Sequence, residues 1–134
     1  MKKIQIKTAR RTQFINLDSY VARAVQESNV QNGIVIVYVP HTTAGITINE
    51  NADPDVLFDI EHVLDKVVPW HGDYHHSEGN TSAHVKASLM GSSVQVIINE
   101  GKLVLGTWQS IFLCEFDGPR TREIFIKVIS TNPS

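Results

Sequence analysis

The chain has 134 residues, a length typical of one domain, with 42% hydrophobic and 19% charged residues, as in ordinary globular proteins. A net charge of −2 gives no drive toward nucleic acid or an anionic membrane, and a single cysteine excludes an intramolecular disulfide. No apolar run is long enough to span a membrane, so we predict one cytoplasmic domain over residues 1–134 without nucleic-acid or membrane partners.

The first third of the chain alternates strand and helix patterns. These are, in chain order, apolar alternation at 4–6, helical spacing at 18–28, a β-branched run at 33–39 and renewed alternation at 46–49. Alternation predicts half-buried strands, whereas the continuous run predicts a strand covered on both faces. Asp18 stands where the N-cap of the first helix is expected.

A second helix is predicted between Asp53, a suitable N-cap, and Pro69, which cannot continue a helix. Its apolar residues recur at helical spacing and predict a buried stripe, formed by Val56, Ile60, Val63, Leu64 and Val67. A third helix is predicted from a cap at Asn80 or Thr81 to Gly91.

The C-terminal part of the chain is typical of consecutive strands. They are predicted at 93–99, 103–105, 107–116 and 122–130. Both sides of the 107–116 strand are largely apolar, so this strand should be central in its sheet. About eight strands and three helices with consecutive hairpins predict an α+β fold, a compact and mostly antiparallel β-sandwich.

The segment from Trp70 to His84, which follows the second helix and enters the third, concentrates imidazole groups. Four of the six histidines lie here, at His71, His75, His76 and His84. Loop histidines with another on the following helix are compatible with a three-histidine metal site. His84 could equally act as a general base or bond to the backbone near its helix cap, and we interpret His71 and His76 as facing solvent.

The turn from His41 to Gly45 follows a predicted strand and contains Thr42 and Thr43. Its small residues let backbone N–H groups approach an oxyanion, a phosphate or a carboxylate. The alternative is an ordinary strand-end turn.

Carboxylates and amides provide two further polar sets. Glu50 has no evident structural role, which favours a general acid/base or a neighbour of a metal, whereas Asp53 is also explained as a helix cap. Gln109 and Glu115 are predicted on the same side of a central strand, and both need polar partners. Asp117 and Arg120 could bind a ligand or close their turn as an ion pair.

Together these sets resemble the YjbQ family. The motifs that carry the resemblance are His41-Thr-Thr-Ala-Gly, Asn49-Glu50 with Asp53, Asn80 with Ala83-His84-Val-Lys86, Gly106-Thr-Trp-Gln109 and Asp117-Gly-Pro-Arg120. The resemblance covers residues 14–129 and implies an α+β sandwich that assembles as a homotrimer, with sites near subunit boundaries. It also implies a weak thiamine-phosphate synthase activity, joining hydroxymethylpyrimidine pyrophosphate to thiazole phosphate.

The resemblance further implies a polar pocket that can hold metal ions. The catalytic candidates are His84, Glu50, His75 and Asp53. The candidates for binding a phosphorylated small molecule are His41, Thr42, Thr43, Asn80, Ser82, Lys86, Gln109, Asp117 and Arg120. The expected metal ligands are His41, His75 and His84.

The chemistry of this pocket leaves several functions open. Departure of pyrophosphate normally uses Mg²⁺, which prefers carboxylates, whereas imidazoles suit Zn²⁺ or Ni²⁺. We therefore expect a divalent metal without naming it. The protein could be a synthase-like transferase. The two alternatives are a metal-dependent hydrolase of phosphate esters and a non-catalytic trimeric protein that binds metal or anions.

Overall fold

The protein is described by a computed structural model over residues 1–131, which contains three helices and eight strands. The helices are α1 (Asp18–Ser28), α2 (Pro54–Val67) and α3 (Thr81–Met90). The strands are β1 (Lys2–Lys7), β2 (Gln13–Asn16), β3 (Gly33–Tyr38), β4 (Ala44–Glu50), β5 (Ser93–Asn99), β6 (Lys102–Leu103), β7 (Gln109–Glu115) and β8 (Thr121–Ser130). This confirms the α+β class; the last three residues of the domain predicted over 1–134 lie outside the described residues.

The strands form two antiparallel sheets. Sheet A has the order β1-β8-β3-β5-β6 and sheet B the order β2-β7-β4. Strand β7 is central in sheet B, as its two apolar sides predict. The connection from β3 to β4 passes from one sheet to the other and contains the predicted His41 turn.

The main core lies between the two sheets. Buried side chains of sheet A, such as Val35 and Ile124, share one cluster with Ile46 and Leu113 of sheet B. Helix α1 adds Val21, which is fully buried in the same cluster. Because apolar burial drives folding, this cluster holds the two sheets together.

The cap of α1 differs from the prediction. Its N-cap is Leu17, which makes no side-chain cap bond. Asp18, expected as the cap, instead accepts a hydrogen bond from the backbone N–H of Ile111 at 2.8 Å. A local preference has thus given way to a long-range contact between α1 and β7.

Helix α2 keeps its predicted cap but not its predicted burial. The carboxylate of Asp53 accepts from the backbone N–H of Asp55 at 2.9 Å. None of the α2 side chains is buried, and Val63 and Val67 are 56% and 69% exposed. The prediction of a buried stripe on α2 is therefore wrong for a single chain.

Within residues 1–131 no helix is long and apolar enough to cross a membrane.

Helix α3 packs on the outer face of sheet B. A Cβ atom at Gly45 of β4 would lie 2.8 Å from Met90 Cβ and 2.9 Å from the carbonyl oxygen of Gly91. Only glycine permits this approach of strand and helix. The close contact positions α3 beside the His41 turn, which directly precedes β4.

Candidate active site

Two of the predicted histidines, His41 and His84, line one cavity of about 500 Å³. His41 lies in the β3–β4 connection and His84 near the start of α3. The other walls are small or hydroxyl-bearing residues, namely Thr42, Ala44, Ala87, Ser88, Gly91 and Ser92. Two imidazole groups thus border a space large enough for a small polar molecule.

The protonation of His41 follows from its hydrogen bond. The backbone N–H of Glu123 donates to His41 Nε2 at 2.9 Å, so the proton of the neutral ring sits on Nδ1. Burial, and after it the guanidinium of Arg122, lowers the pKa of His41 below its ordinary value. The ring is therefore neutral near pH 7 and offers Nδ1–H as a donor.

His84 contacts a loop histidine, but not the expected one. The rings of His76 and His84 meet edge to face, with centroids 5.3 Å apart. His75 is exposed and has no hydrogen bond or ring contact within residues 1–131. His76 is exposed, as expected, but it also contacts His84, and a site role for His75 stays a prediction.

A buried ion pair lies behind the His41 turn. Arg122 and Glu115 are 1% and 0% exposed, and the guanidinium donates to both carboxylate oxygens. Arg122 also donates to the Thr43 hydroxyl at 2.8 Å, while Thr8 donates to Glu115 at 2.8 Å. Every charged group of this network has hydrogen-bond partners, as burial requires. Thr43, expected to bind substrate, is committed to this network.

Asp117 forms a second, more exposed group at the same end of sheet B. It accepts from Asn80 Nδ2 at 2.8 Å and from the Arg120 guanidinium at 2.9 Å. Of the two interpretations of Asp117 and Arg120, the ion pair that closes their turn is present. These three candidates for substrate binding lie together, although none of them lines the His41–His84 cavity.

Glu50 and Gln109 lie at the opposite end of sheet B. They pair across the last register position of β4 and β7, whereas Ala44 pairs with Glu115 at the other end. Six residues of strand separate the two ends, or about 20 Å at ~3.3 Å per residue. A single chain therefore does not bring Glu50 to His41, as the implied pocket requires. Asp53, beyond Glu50 in the chain, is used as the cap of α2.

The remaining candidates on α3 serve other contacts. Ser82 is fully buried and donates to the carbonyl oxygen of Val68 at 3.1 Å. Lys86 is 3% exposed and donates to the Asp65 carboxylate of α2. It borders a different cavity from His84, since residues two apart lie on opposite sides of a helix.

The expected metal centre is not assembled in the chain. Across residues 1–131, no group of three or more histidine, cysteine or carboxylate side chains is arranged to hold a metal ion. Ligation by His41 through Nδ1 would move the ring proton to Nε2 and break the bond with Glu123. Metal binding by His41, His75 and His84 therefore stays a prediction.

Sequence reasoning missed the central role of Arg122. This residue alternates with Ile124 and Ile126, both of which are buried. A cation in phase with core residues on a strand is an available sign of a buried ion pair. The partner of Arg122 is the carboxylate of Glu115, which itself needs a polar partner on a central strand.

Comparison with known proteins places the chain in a family. The model of the YjbQ family, described as UPF0047 protein YjbQ-like, matches residues 2–131. The chain belongs to the YjbQ family. The UPF0047 protein YugU of Bacillus subtilis is 51% identical over 130 residues, covering 96% of this chain and 98% of YugU. A UPF0047 protein of Methanocaldococcus jannaschii is 53% identical over 127 residues, covering 95% and 92%.

Solved structures of the family share the fold. An uncharacterised YjbQ/UPF0047 protein of Clostridium acetobutylicum superposes with a TM-score of 0.95 at 59% identity, covering 96% of this chain and 100% of that one. A Sulfolobus solfataricus protein, described as YbjQ-like and of unknown function, gives a TM-score of 0.92 at 33% identity, covering 96% and 95%.

These relatives also correct the expected function. The curated relatives carry only the UPF0047 name, and the Sulfolobus protein is described as having unknown function. The prediction of thiamine-phosphate synthase activity is therefore wrong as an assignment. The alternatives, a metal-dependent phosphate-ester hydrolase and a non-catalytic trimeric metal or anion binder, are equally unsupported.

Proposed function

We propose that the His41–His84 cavity is the active site of an enzyme that moves a proton next to a carbonyl group. The observation that carries the proposal is the bond from Glu123 N–H to His41 Nε2, which keeps His41 a neutral donor. A neutral imidazole N–H can stabilise a developing oxyanion without donating its proton. His84, on the same cavity, is the second imidazole and the group that moves the proton.

The proposed reaction is an isomerisation, in which the proton that is removed is later returned. The His84 imidazole takes a proton from the carbon beside the carbonyl, and the electron pair of the broken C–H bond moves into an enolate. The enolate oxygen accepts a hydrogen bond from His41 Nδ1–H. The proton then returns from His84 to carbon or oxygen, so the cycle needs no oxidant, metal or co-substrate.

The cavity walls suit a small polar substrate. Ala44, Ala87 and Gly91 contribute little side-chain bulk, which leaves room close to the backbone. Thr42, Ser88 and Ser92 line the rest of the cavity. Their hydroxyl groups can hydrogen-bond the substrate, that of Ser88 as an acceptor because it already donates to the carbonyl oxygen of His84 at 2.9 Å. A compact carbonyl compound with further hydroxyl or carboxylate groups fits these walls best.

Exchange of carbon-bound hydrogen for deuterium tests the proposal directly. Pyruvate, dihydroxyacetone and 2-oxoglutarate would each be incubated with the protein in D₂O, and loss of the α-proton signal followed by NMR. We expect enzyme-dependent exchange of at least one of them. His84→Gln should lower it by about 10²-fold or more, and His41→Gln by about 10²-fold.

The matched control is His62→Gln, because His62 is an exposed histidine of α2 outside the cavity. It should leave the exchange rate unchanged. Exchange that survives in the His84→Gln protein, or the absence of exchange with all three compounds in the folded wild type, would overturn the proposal.

We also propose that the chain self-associates, as the homotrimer that its family resemblance implies. Two apolar surfaces support this. On α2, Val63 and Val67, which lie one turn apart on the same helix face, are 56% and 69% exposed. On the outer face of sheet A, Ile97 is 62% exposed and stands in register with Ile34, which pairs with Ile129. Contiguous apolar surface of this kind is typical of interfaces.

Light scattering at several concentrations tests this assembly. The wild type should have the mass of three chains, and Val67→Glu or Ile97→Glu should lower that mass by placing a charge on the surface that forms the interface. A monomeric wild type would exclude the trimer. A cytoplasmic location stays a prediction.

A further inference from the structure

Two adjoining cavities lie apart from the His41–His84 cavity and share no lining residue with it. The larger, of about 530 Å³, lies between the β1–β2 connection, α2 and α3. Its charged walls are Arg10, Arg11, Lys86, Glu61 and Asp65, and the Trp70 ring lies among them. The smaller, of about 260 Å³, shares Arg10 and Glu61 with it and is otherwise apolar.

The charges at this pair of cavities are separated by element. The two arginines come from the β1–β2 connection, whereas Glu61 and Asp65 lie one helical turn apart on α2. Lys86 from α3 is nine-tenths buried and is neutralised by Asp65. The cavity therefore has a positive side and a negative side, a distribution that suits a zwitterion better than a simple anion.

Arg10 and Glu61, which lie at the junction of the two cavities, are not engaged by other side-chain contacts. Within residues 1–131, the side chains of Arg10 and Glu61 make neither a hydrogen bond nor an ion pair. Arg11 stacks on Trp70, with its Cζ 4.1 Å from the ring centroid, which leaves the edge of the guanidinium free to donate. Two guanidinium groups can hold a carboxylate, and one free carboxylate can hold an ammonium group.

The smaller cavity adds an apolar subsite. Phe14, Leu57, Phe58 and Pro54 line it beside the shared Arg10 and Glu61. A molecule whose charged groups lie at the junction can therefore extend an apolar side chain into this space. Burying that side chain would contribute favourably through the hydrophobic effect.

We propose that this pair of cavities binds a free α-amino acid with a large apolar side chain. Its carboxylate binds Arg10 and Arg11, its ammonium group binds Glu61, and its side chain fills the space between Phe14 and Leu57. The site is separate from the His41–His84 cavity, so it can bind whether or not that cavity performs proton transfer.

A ligand series tests each subsite. The probe is L-phenylalanine, added to the full chain in its native assembly and followed by calorimetry. The sequence has two tryptophans, so Trp108→Phe leaves Trp70 as the only tryptophan, whose fluorescence gives a second measurement. Three analogues each lack one feature: glycine the side chain, 3-phenylpropionate the ammonium group and phenethylamine the carboxylate. Each should bind at least about tenfold more weakly than phenylalanine.

Variants test the residues. Arg10→Gln and Glu61→Gln should each weaken phenylalanine binding at least about tenfold, because each removes one charged partner. The control is Arg23→Gln, since Arg23 is an exposed arginine of α1 that lines neither cavity. It should bind like the wild type. All of these residues have solvent-accessible side chains, so the variants should fold.

Three results would overturn the proposal. They are no binding of phenylalanine at 10 mM by the folded protein, 3-phenylpropionate binding as tightly as phenylalanine, and unchanged affinity in both the Arg10→Gln and Glu61→Gln proteins. His84→Gln separates the two sites, since phenylalanine binding should persist in it even if the proton-transfer proposal fails.

Discussion

The two ends of sheet B differ in how their polar residues are held. At the His41 end, Glu115 is bonded to Thr8 and Arg122, partners more than a hundred residues and seven residues away. At the other end, within residues 1–131, the side chain of Gln109 accepts only from the nearby backbone N–H of Gly106, and Asn49 accepts from the adjacent Glu50 N–H. The polar side chains of one end are thus bonded across the tertiary structure, whereas those of the other end make local contacts.

This difference distinguishes polar residues that stabilise the whole fold from polar residues that only restrain a turn. Glu115 and Arg122 are bonded to Thr8 and Thr43, which are distant in the sequence, so the His41 end depends on the whole fold and the fold in turn depends on these bonds. Local bonds at exposed positions restrain a turn but contribute little to global stability. Substitutions at the two ends should therefore have very different effects on the free energy of unfolding.

The largest effect is expected from Arg122→Met. It leaves the fully buried Glu115 carboxylate without its cation, which should lower the free energy of unfolding by about 3–5 kcal/mol. Urea denaturation measures this change. The control is Arg120→Met, which removes an ion pair with a half-exposed guanidinium and should cost less than about 1 kcal/mol.

The double variant Arg122→Met/Glu115→Leu distinguishes a charge effect from a packing effect. If the unpaired carboxylate causes the loss, the double variant should be more stable than Arg122→Met alone. Equal stability of the single and double variants would contradict the assigned cause.

The next largest effect is expected at Gly45. A Cβ atom in Gly45→Ala would meet Met90 Cβ at 2.8 Å and the Gly91 oxygen at 2.9 Å, so α3 must move away from β4. We expect a loss of about 1–3 kcal/mol. Gly106→Ala, at the other end of the sheet, would meet only the flexible Gln109 side chain and should change stability by less than about 0.5 kcal/mol. Equal losses would refute the difference between the two ends.

A smaller effect is expected from the titration of His41. Because its folded pKa lies below the unfolded value, His41 contributes stability above the unfolded pKa and loses it as pH falls through the folded pKa. The destabilisation caused by His41→Gln should therefore be larger at pH 8 than at pH 5. Denaturation of both proteins at the two pH values checks this. A larger cost at pH 5 would mean a raised pKa instead.

Most of the fold could be predicted from local patterns. The bounds of α1 agree with the helical spacing over 18–28, and Asp53 caps α2 as the Asp-Pro pair predicts. The sheet order could not be predicted, because β1 pairs with β8 and β3 with β5 across long stretches of chain. Local patterns do not encode such pairings.

The site was predictable only in part. The sequence motifs identify His41 and His84, but the cavity between them depends on how closely α3 approaches β4 at Gly45. The distance from His41 to Glu50 could have been foreseen, because an extended strand between them must separate its ends. The contact of His76 with His84 could not, since it depends on the path of an irregular loop.

The smallest effect on stability is expected from Glu50→Gln, and it decides what Glu50 is for. Its half-exposed side chain makes no hydrogen bond within residues 1–131, so the free energy of unfolding should change by less than about 0.5 kcal/mol.

The Glu50→Gln protein would also be assayed for deuterium exchange. A stable variant with unchanged exchange would make Glu50 a surface residue of each chain. A stable variant without exchange would require the Glu50 end of one chain to meet the His41 end of another, because strand length separates them within a chain. A loss of more than about 1 kcal/mol would instead contradict the purely local character of this end of sheet B.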